Sequence, residues 1–200
     1  MDSLRAATIS GVAAMVTVWA FILTSMHLNP WFSVTANALS DLGGGNLTAN
    51  GHPAPTDPWV YNAGLMVTAV IIVAFAGICI SMSRDKLETV GLSFFVISAL
   101  FLALIGIYHE GTYPHDFVSI WYFILASIAF VPVSLSLALR RRPLGAGMLI
   151  TTVLAWIIYA TVRWQSVAEG EIFGILVIEL IVSLYLTDMW RHRSEEGAQT

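Results

Sequence analysis

The densest run of reactive side chains in this 200-residue chain is Tyr108-His109-Glu110-Gly111-Thr112-Tyr113-Pro114-His115-Asp116. Imidazole nitrogens and carboxylate oxygens are the usual ligands of zinc and similar divalent cations, and the same groups carry protons in catalysis. His27, Ser40, Asp41, Asn62, Glu169 and Glu171 add polar groups elsewhere in the chain. Three chemistries follow. A divalent metal such as zinc, held by His27, His109 and His115, would activate water, with Asp41 or Glu110 as the base and Ser40 nearby; that is a metal-dependent membrane hydrolase acting on lipid. The same residues would also suit a polar pocket that binds or transports a small or lipidic molecule. Thirdly, they would serve by bonding one another, with Asp116 capping a helix, as in a structural or assembly subunit. The six-residue step from His109 to His115 crosses a glycine and a proline and matches no metal motif, so spacing leaves all three open.

Glu179 stands apart from this cluster, flanked by Ile178, Leu180, Ile181 and Val182. An ionisable group inside an apolar run must face the protein interior and find a partner or a proton. Arg163, the nearest basic residue toward the same end, is the expected partner. With Asn29 and Asn62, these two form the expected ligand-binding set. Asp188 reads as a surface pair with Arg191.

The elements that must position these groups are membrane helices. Hydrophobic residues make up 57% of the chain and charged residues only 11%, against about 25% charged in a soluble domain. Apolar stretches fall at about 6–27, 59–82, 89–108, 117–139, 145–164 and 172–190, each near the roughly 20 residues that a bilayer requires. Lipid offers the backbone no hydrogen-bond partners, so each span must be an α-helix. The expected fold is all-α: a single six-helix transmembrane domain over 1–200, ending in a cytoplasmic tail at 191–200. Arg5, Arg84 with Lys86, Arg140 to Arg142, and Arg191 with Arg193 fall at alternate helix ends, which places both termini in the cytoplasm of a cell membrane and the histidine run outside. Arg163 is the exception.

With only 9 lysines and arginines there is no basic face for nucleic acid. The single cysteine, Cys79, sits in an apolar run and reads as a small packing residue. Membrane lipids are the expected surroundings. The one long connection, 28–58, opens with Asn29-Pro30, a helix-start signal. It then carries Ser33, Asn37, Ser40 and Asp41 on one helical face before the glycines at 43–45. This pattern predicts a short interfacial helix, polar side toward the bundle mouth, followed by an exposed loop from Asn46 to Pro58.

The segments Asn29-Pro30-Trp31-Phe32-Ser33 and Ala38-Leu39-Ser40-Asp41-Leu42-Gly43 resemble the opening motif of a prokaryotic, largely archaeal membrane family catalogued as domain of unknown function 998. Pro58-Trp59-Val60-Tyr61-Asn62-Ala63-Gly64-Leu65 and the loop from Gly106 to His115 agree with it, and the resemblance spans about residues 5 to 190. It implies a six-helix membrane domain with no established activity, whose motif residues here are Asn29, Pro30, Ser40, Asp41, Asn62, His109, Glu110 and His115. A more distant similarity is to membrane hydrolases of the alkaline-ceramidase and adiponectin-receptor superfamily. It implies zinc held by three histidines, for which this chain offers His27, His109 and His115 with Asp41 and Ser40, in a different order and with one span fewer.

Overall fold

A computed structural model describes residues 2–44 and 51–197 of the chain, with side chains as far as His192. Among the described residues there are six α-helices and no strand: α1 (Ser3–Leu28), α2 (Pro58–Ser81), α3 (Lys86–Ile107), α4 (His115–Leu139), α5 (Pro143–Thr161) and α6 (Val167–Gly197). All six are long and apolar enough to cross a membrane. Local chemistry sets their starts. Asp85 caps α3 by accepting the Glu88 N–H at 2.9 Å, and Pro58 and Pro143 occupy the first turns of α2 and α5, where a missing N–H does no harm.

Each helix packs on the next, and α6 returns to α1, where the Trp190 indole donates to Thr8 Oγ1 at 2.9 Å. The interior is aromatic and aliphatic, with Phe95 5.3 Å from Phe130 and 6.4 Å from Phe75 between ring centroids. Gly91 lets α3 and α4 approach closely, since a Cβ there would stand 2.6 Å from the Ala129 carbonyl oxygen. Outside, Val16, Leu23, Val70, Leu100 and Ile150 are more than half exposed. An exposed apolar surface all round a helical bundle is the surface of a multi-pass membrane protein.

Two boundaries differ from the sequence pattern, and both matter. The helix expected from Pro30 is replaced by turns, followed by a five-residue 3-10 helix, Leu39–Gly43, here called the lid. Asn37 Oδ1 accepts the Ser33 N–H at 2.8 Å, a local bond that competes with helix formation. All five lid residues are buried against the rest of the protein. At the other boundary α6 begins at Val167, so Glu169 and Glu171 lie in its first two turns and not ahead of it. Asp116 is exposed in the first turn of α4, two residues past the N-cap position, which Pro114 occupies. The expected exposed loop is described only from Gly51 onward, since 45–50 lie outside the described residues.

The end of the bundle opposite the lid carries Arg84 and Arg140 to Arg142, whereas Arg163 lies beyond the other end of α5. Arg140 donates to Glu88 at 2.7 Å, and Tyr185 donates to the other oxygen of that carboxylate at 2.8 Å. Asp188 is 2% exposed and bonds Arg142 at 2.6 Å, so it is an interior ion pair and not the surface pair with Arg191 that sequence proximity suggests. Arg141, at φ 59°, turns the chain between α4 and α5 and leaves Arg142 on the inner side.

Candidate functional site

The lid is held residue by residue from three directions. The Leu39 N–H donates to Oε2 of Glu171 on α6 at 2.6 Å. The Ser40 hydroxyl donates to Oε2 of Glu110, in the connection between α3 and α4, at 3.2 Å. Asp41, fully buried, faces Nε2 of His52 at 3.0 Å through Oδ1 and accepts the Ala38 N–H at 2.9 Å through Oδ2. His52 is itself oriented by the Pro53 carbonyl, 2.9 Å from Nδ1, and by stacking on Trp31 with centroids 4.4 Å apart. Two further bonds complete the seal, from Ala168 N–H to the Asn37 carbonyl at 2.9 Å and from the Ser166 hydroxyl to the Val34 carbonyl.

His115, at the head of α4, has the Tyr108 carbonyl 2.7 Å from Nδ1 and Glu110 Oε2 3.1 Å from Nε2. The hydrogen bond from His115 holds the Glu110 carboxyl below the ordinary carboxylate range; partial burial opposes this, and the charge of His115 and the Ser40 hydroxyl reinforce it.

Beneath the lid lies a chamber of about 70 Å³ walled by α1, α2, α3, α4 and α6, with Leu39 as its roof. Its wall is mostly aliphatic and aromatic, with polar groups from Tyr61, Thr68, Ser119, Tyr122, Glu171 and Glu179. Glu171 stands at the rim. Glu179 is eight residues further along α6, about 12 Å deeper at 1.5 Å per residue. Its Oε1 is buried without a hydrogen-bond partner, as is Oγ1 of Thr68. Beside the chamber, between α4, α5 and α6, runs a larger apolar groove of about 430 Å³ that includes Phe123, Trp156, Tyr159 and Gly174.

The family described as Protein of unknown function (DUF998) matches residues 12–188. The chain belongs to that family. No protein of curated function and no solved structure matches it.

The DUF998 chain distributes the residues singled out from its sequence in three ways. Ser40, Asp41, Glu110 and His115 come together in the lid network, and the first three are occupied by one another or by His115 and His52. Asn29 and Asn62 serve as clamps. The buried Asn29 amide donates to the carbonyls of Ser25 and Thr56 at 2.8 and 3.2 Å and accepts from Trp31 and the Thr56 N–H at 3.2 and 2.6 Å. Asn62 donates to the Gly43 carbonyl at 2.9 Å. The remainder are dispersed. His27 is exposed at the end of α1, His109 turns Nδ1 to the neighbouring Glu110 carbonyl at 3.0 Å, and Arg163 is exposed beyond α5.

Among the described residues, the group whose ligand atoms lie within 4.8 Å of one another is Glu110, His115 and Asp116; the trio His27, His109 and His115 does not converge in this way. Arg163 forms no ion pair with Glu179 among the described residues, and the side chain that meets the Glu179 carboxylate is Trp19 of α1. The DUF998 chain also uses His52, Tyr61, Thr68 and Tyr122, which the sequence did not single out as a site, and it brings Glu171 of the polar set to the chamber rim. Glu171 carries a signal in hindsight, because a Glu in the first turns of a helix is ordinary, whereas one spaced eight residues from Glu179 shares its face.

Proposed function

We propose that this chain binds a small or lipidic molecule in the chamber under the lid, with the lid facing the outside of the cell membrane and both termini in the cytoplasm. The orientation rests on the basic residues. Arg84, Lys86 and Arg140 to Arg142 gather at the end opposite the lid, where α1 starts and α6 ends, and basic residues favour the cytoplasmic side.

The observation that carries the binding reading is the pair of unsatisfied polar atoms in the chamber, Glu179 Oε1 and Thr68 Oγ1. A buried polar atom without a partner costs roughly 1–3 kcal/mol. Polar groups left in this state inside a membrane bundle mark binding or transport pathways more often than scaffolding. The lid network above the chamber acts on access and position, since its members already bond one another.

The test uses the full chain purified in mild detergent. Lipid extracts of the wild type and of Glu179→Leu are compared by mass spectrometry, and wild-type unfolding is followed with long-chain alcohols added. A retained species lost in the variant, and a rise in unfolding temperature with alcohol in the wild type alone, support the reading. Identical extracts and identical shifts would remove it and leave a structural role for Glu179.

A further inference from the structure

The lid shuts the chamber from the watery side. Leu39 and Leu42 are 1% and 0% exposed, and the bonds to Glu171, Glu110 and His52 fasten the three residues of the lid that lie over the bundle. The chamber's other neighbour is the groove between α4, α5 and α6. The two spaces share a wall, since Ser119, Phe123, Glu171 and Ile178 line both. Within that wall the Phe123 ring lies against Gly174: a Cβ on that glycine would stand 2.6 Å from Phe123 Cε1. Glycine thus permits the ring to approach α6 closely, and this aromatic side chain stands in the wall common to groove and chamber. The groove side is open to lipid, with Trp156 and Tyr159 about half exposed.

We infer that the chamber is loaded sideways from the bilayer, through a portal at Phe123 and Gly174, by a single-chain amphiphile with a small headgroup that is neutral or cationic. This rests on the binding reading given above and adds its route and ligand class. Size supports the division of labour. The chamber, at about 70 Å³, is far smaller than the groove, which suits a hydroxyl or an amine better than a phosphodiester headgroup. The groove, at about 430 Å³, falls in the range of pockets for drug-sized apolar molecules, roughly 300–1,000 Å³, and takes the chain. Charge points the same way. Among the described residues, the ionisable groups facing the chamber are the acids Glu171 and Glu179 with the phenols Tyr61 and Tyr122, and no lysine or arginine lines it. An anionic headgroup would sit beside two acid side chains, with hydroxyls to donate to it and no basic partner among the described residues; a hydroxyl or ammonium would donate to Glu179 Oε1. Thr68 Oγ1, on α2 across the chamber, supplies a second contact.

The experiment uses the full chain in phosphatidylcholine nanodiscs with a hexadecanol derivative that carries a diazirine beside the hydroxyl, and maps the cross-linked peptides. In the wild type, label is expected on the α2 segment around Thr68 as well as on the groove. Gly174→Leu, which fills the portal, is expected to cut α2 labelling about tenfold or more while groove labelling persists; Phe123→Ala, which widens it, is expected to speed α2 labelling. Hexadecylamine is expected to displace the probe and lysophosphatidic acid to leave it in place. Should α2 labelling be the same in both variants, the portal is wrong while binding in the chamber stands. Displacement by lysophosphatidic acid as effective as by hexadecylamine would overturn the headgroup assignment. Should α2 remain unlabelled in every variant although the groove is labelled, the binding reading itself falls.

Discussion

The backbone N–H of Leu39 and Oε2 of Glu171 are 2.6 Å apart, joining a residue of the first connection to one 132 positions later at the rim of the chamber. A carboxylate thereby accepts from a backbone N–H at the start of the 3-10 helix, a buried group that must find a partner within the protein. The lid's position over the chamber depends on that bond more than on its own short helix.

Glu171→Ala leaves the buried Leu39 N–H unpaired and is expected to lower stability by roughly 1–3 kcal/mol. Glu171→Gln keeps an accepting oxygen and should lose less. Thermal unfolding of the two variants in the same detergent checks the order, and equal losses would mean that the bond does not hold the lid.

Glu110 makes stability depend on acid. Its carboxyl titrates below the ordinary 4.5 in the folded chain because His115 bonds the charged form. Since the folded value lies below the unfolded one, the stabilisation is fully present above the unfolded value and is lost as pH falls through the folded one. Unfolding temperature should therefore decline as pH drops below about 4.5, and Glu110→Gln should remove that part of the decline. A variant with the wild-type pH profile would show that the pairing with His115 carries no net stability.

At the opposite end, Asp188→Ala strands Arg142 as an uncompensated buried charge and is expected to cost about 3–5 kcal/mol. Replacing both, as Arg142→Met with Asp188→Leu, should recover most of that loss. Denaturant or thermal unfolding of single and double variants decides it; a double variant as weak as the single would mean that geometry, and not charge, is at stake.

Topology is open to direct labelling, because Cys79 is buried and contributes no background. Tyr113 is 95% exposed at the lid end, and Arg141 is exposed at the other. With a membrane-impermeant maleimide on intact cells, Tyr113→Cys should react and Arg141→Cys should react only after lysis. The reverse pattern would invert the proposed orientation.

The sequence alone determined the six helices, because a span must be about 20 apolar residues long and hydrogen-bonded within itself, and both conditions are local. It also assembled most of the lid network, since Ser40, Asp41, Glu110 and His115 stood out as polar groups at one end of apolar runs. Pattern misplaced what depends on partners distant in the chain. The segment after Asn29 has the spacing of an amphipathic helix, yet its polar side chains bond their own backbone, and Leu39 to Gly43 sink into the bundle because Glu171, Glu110 and His52 satisfy them there. Arg163 was matched to Glu179 by proximity in sequence, whereas the packing of α6 against α1 turns that carboxylate toward Trp19. The chamber and its partition at Phe123 and Gly174 belong wholly to the tertiary structure: a cavity is a space left between helices, and no single helix records how closely its neighbours approach.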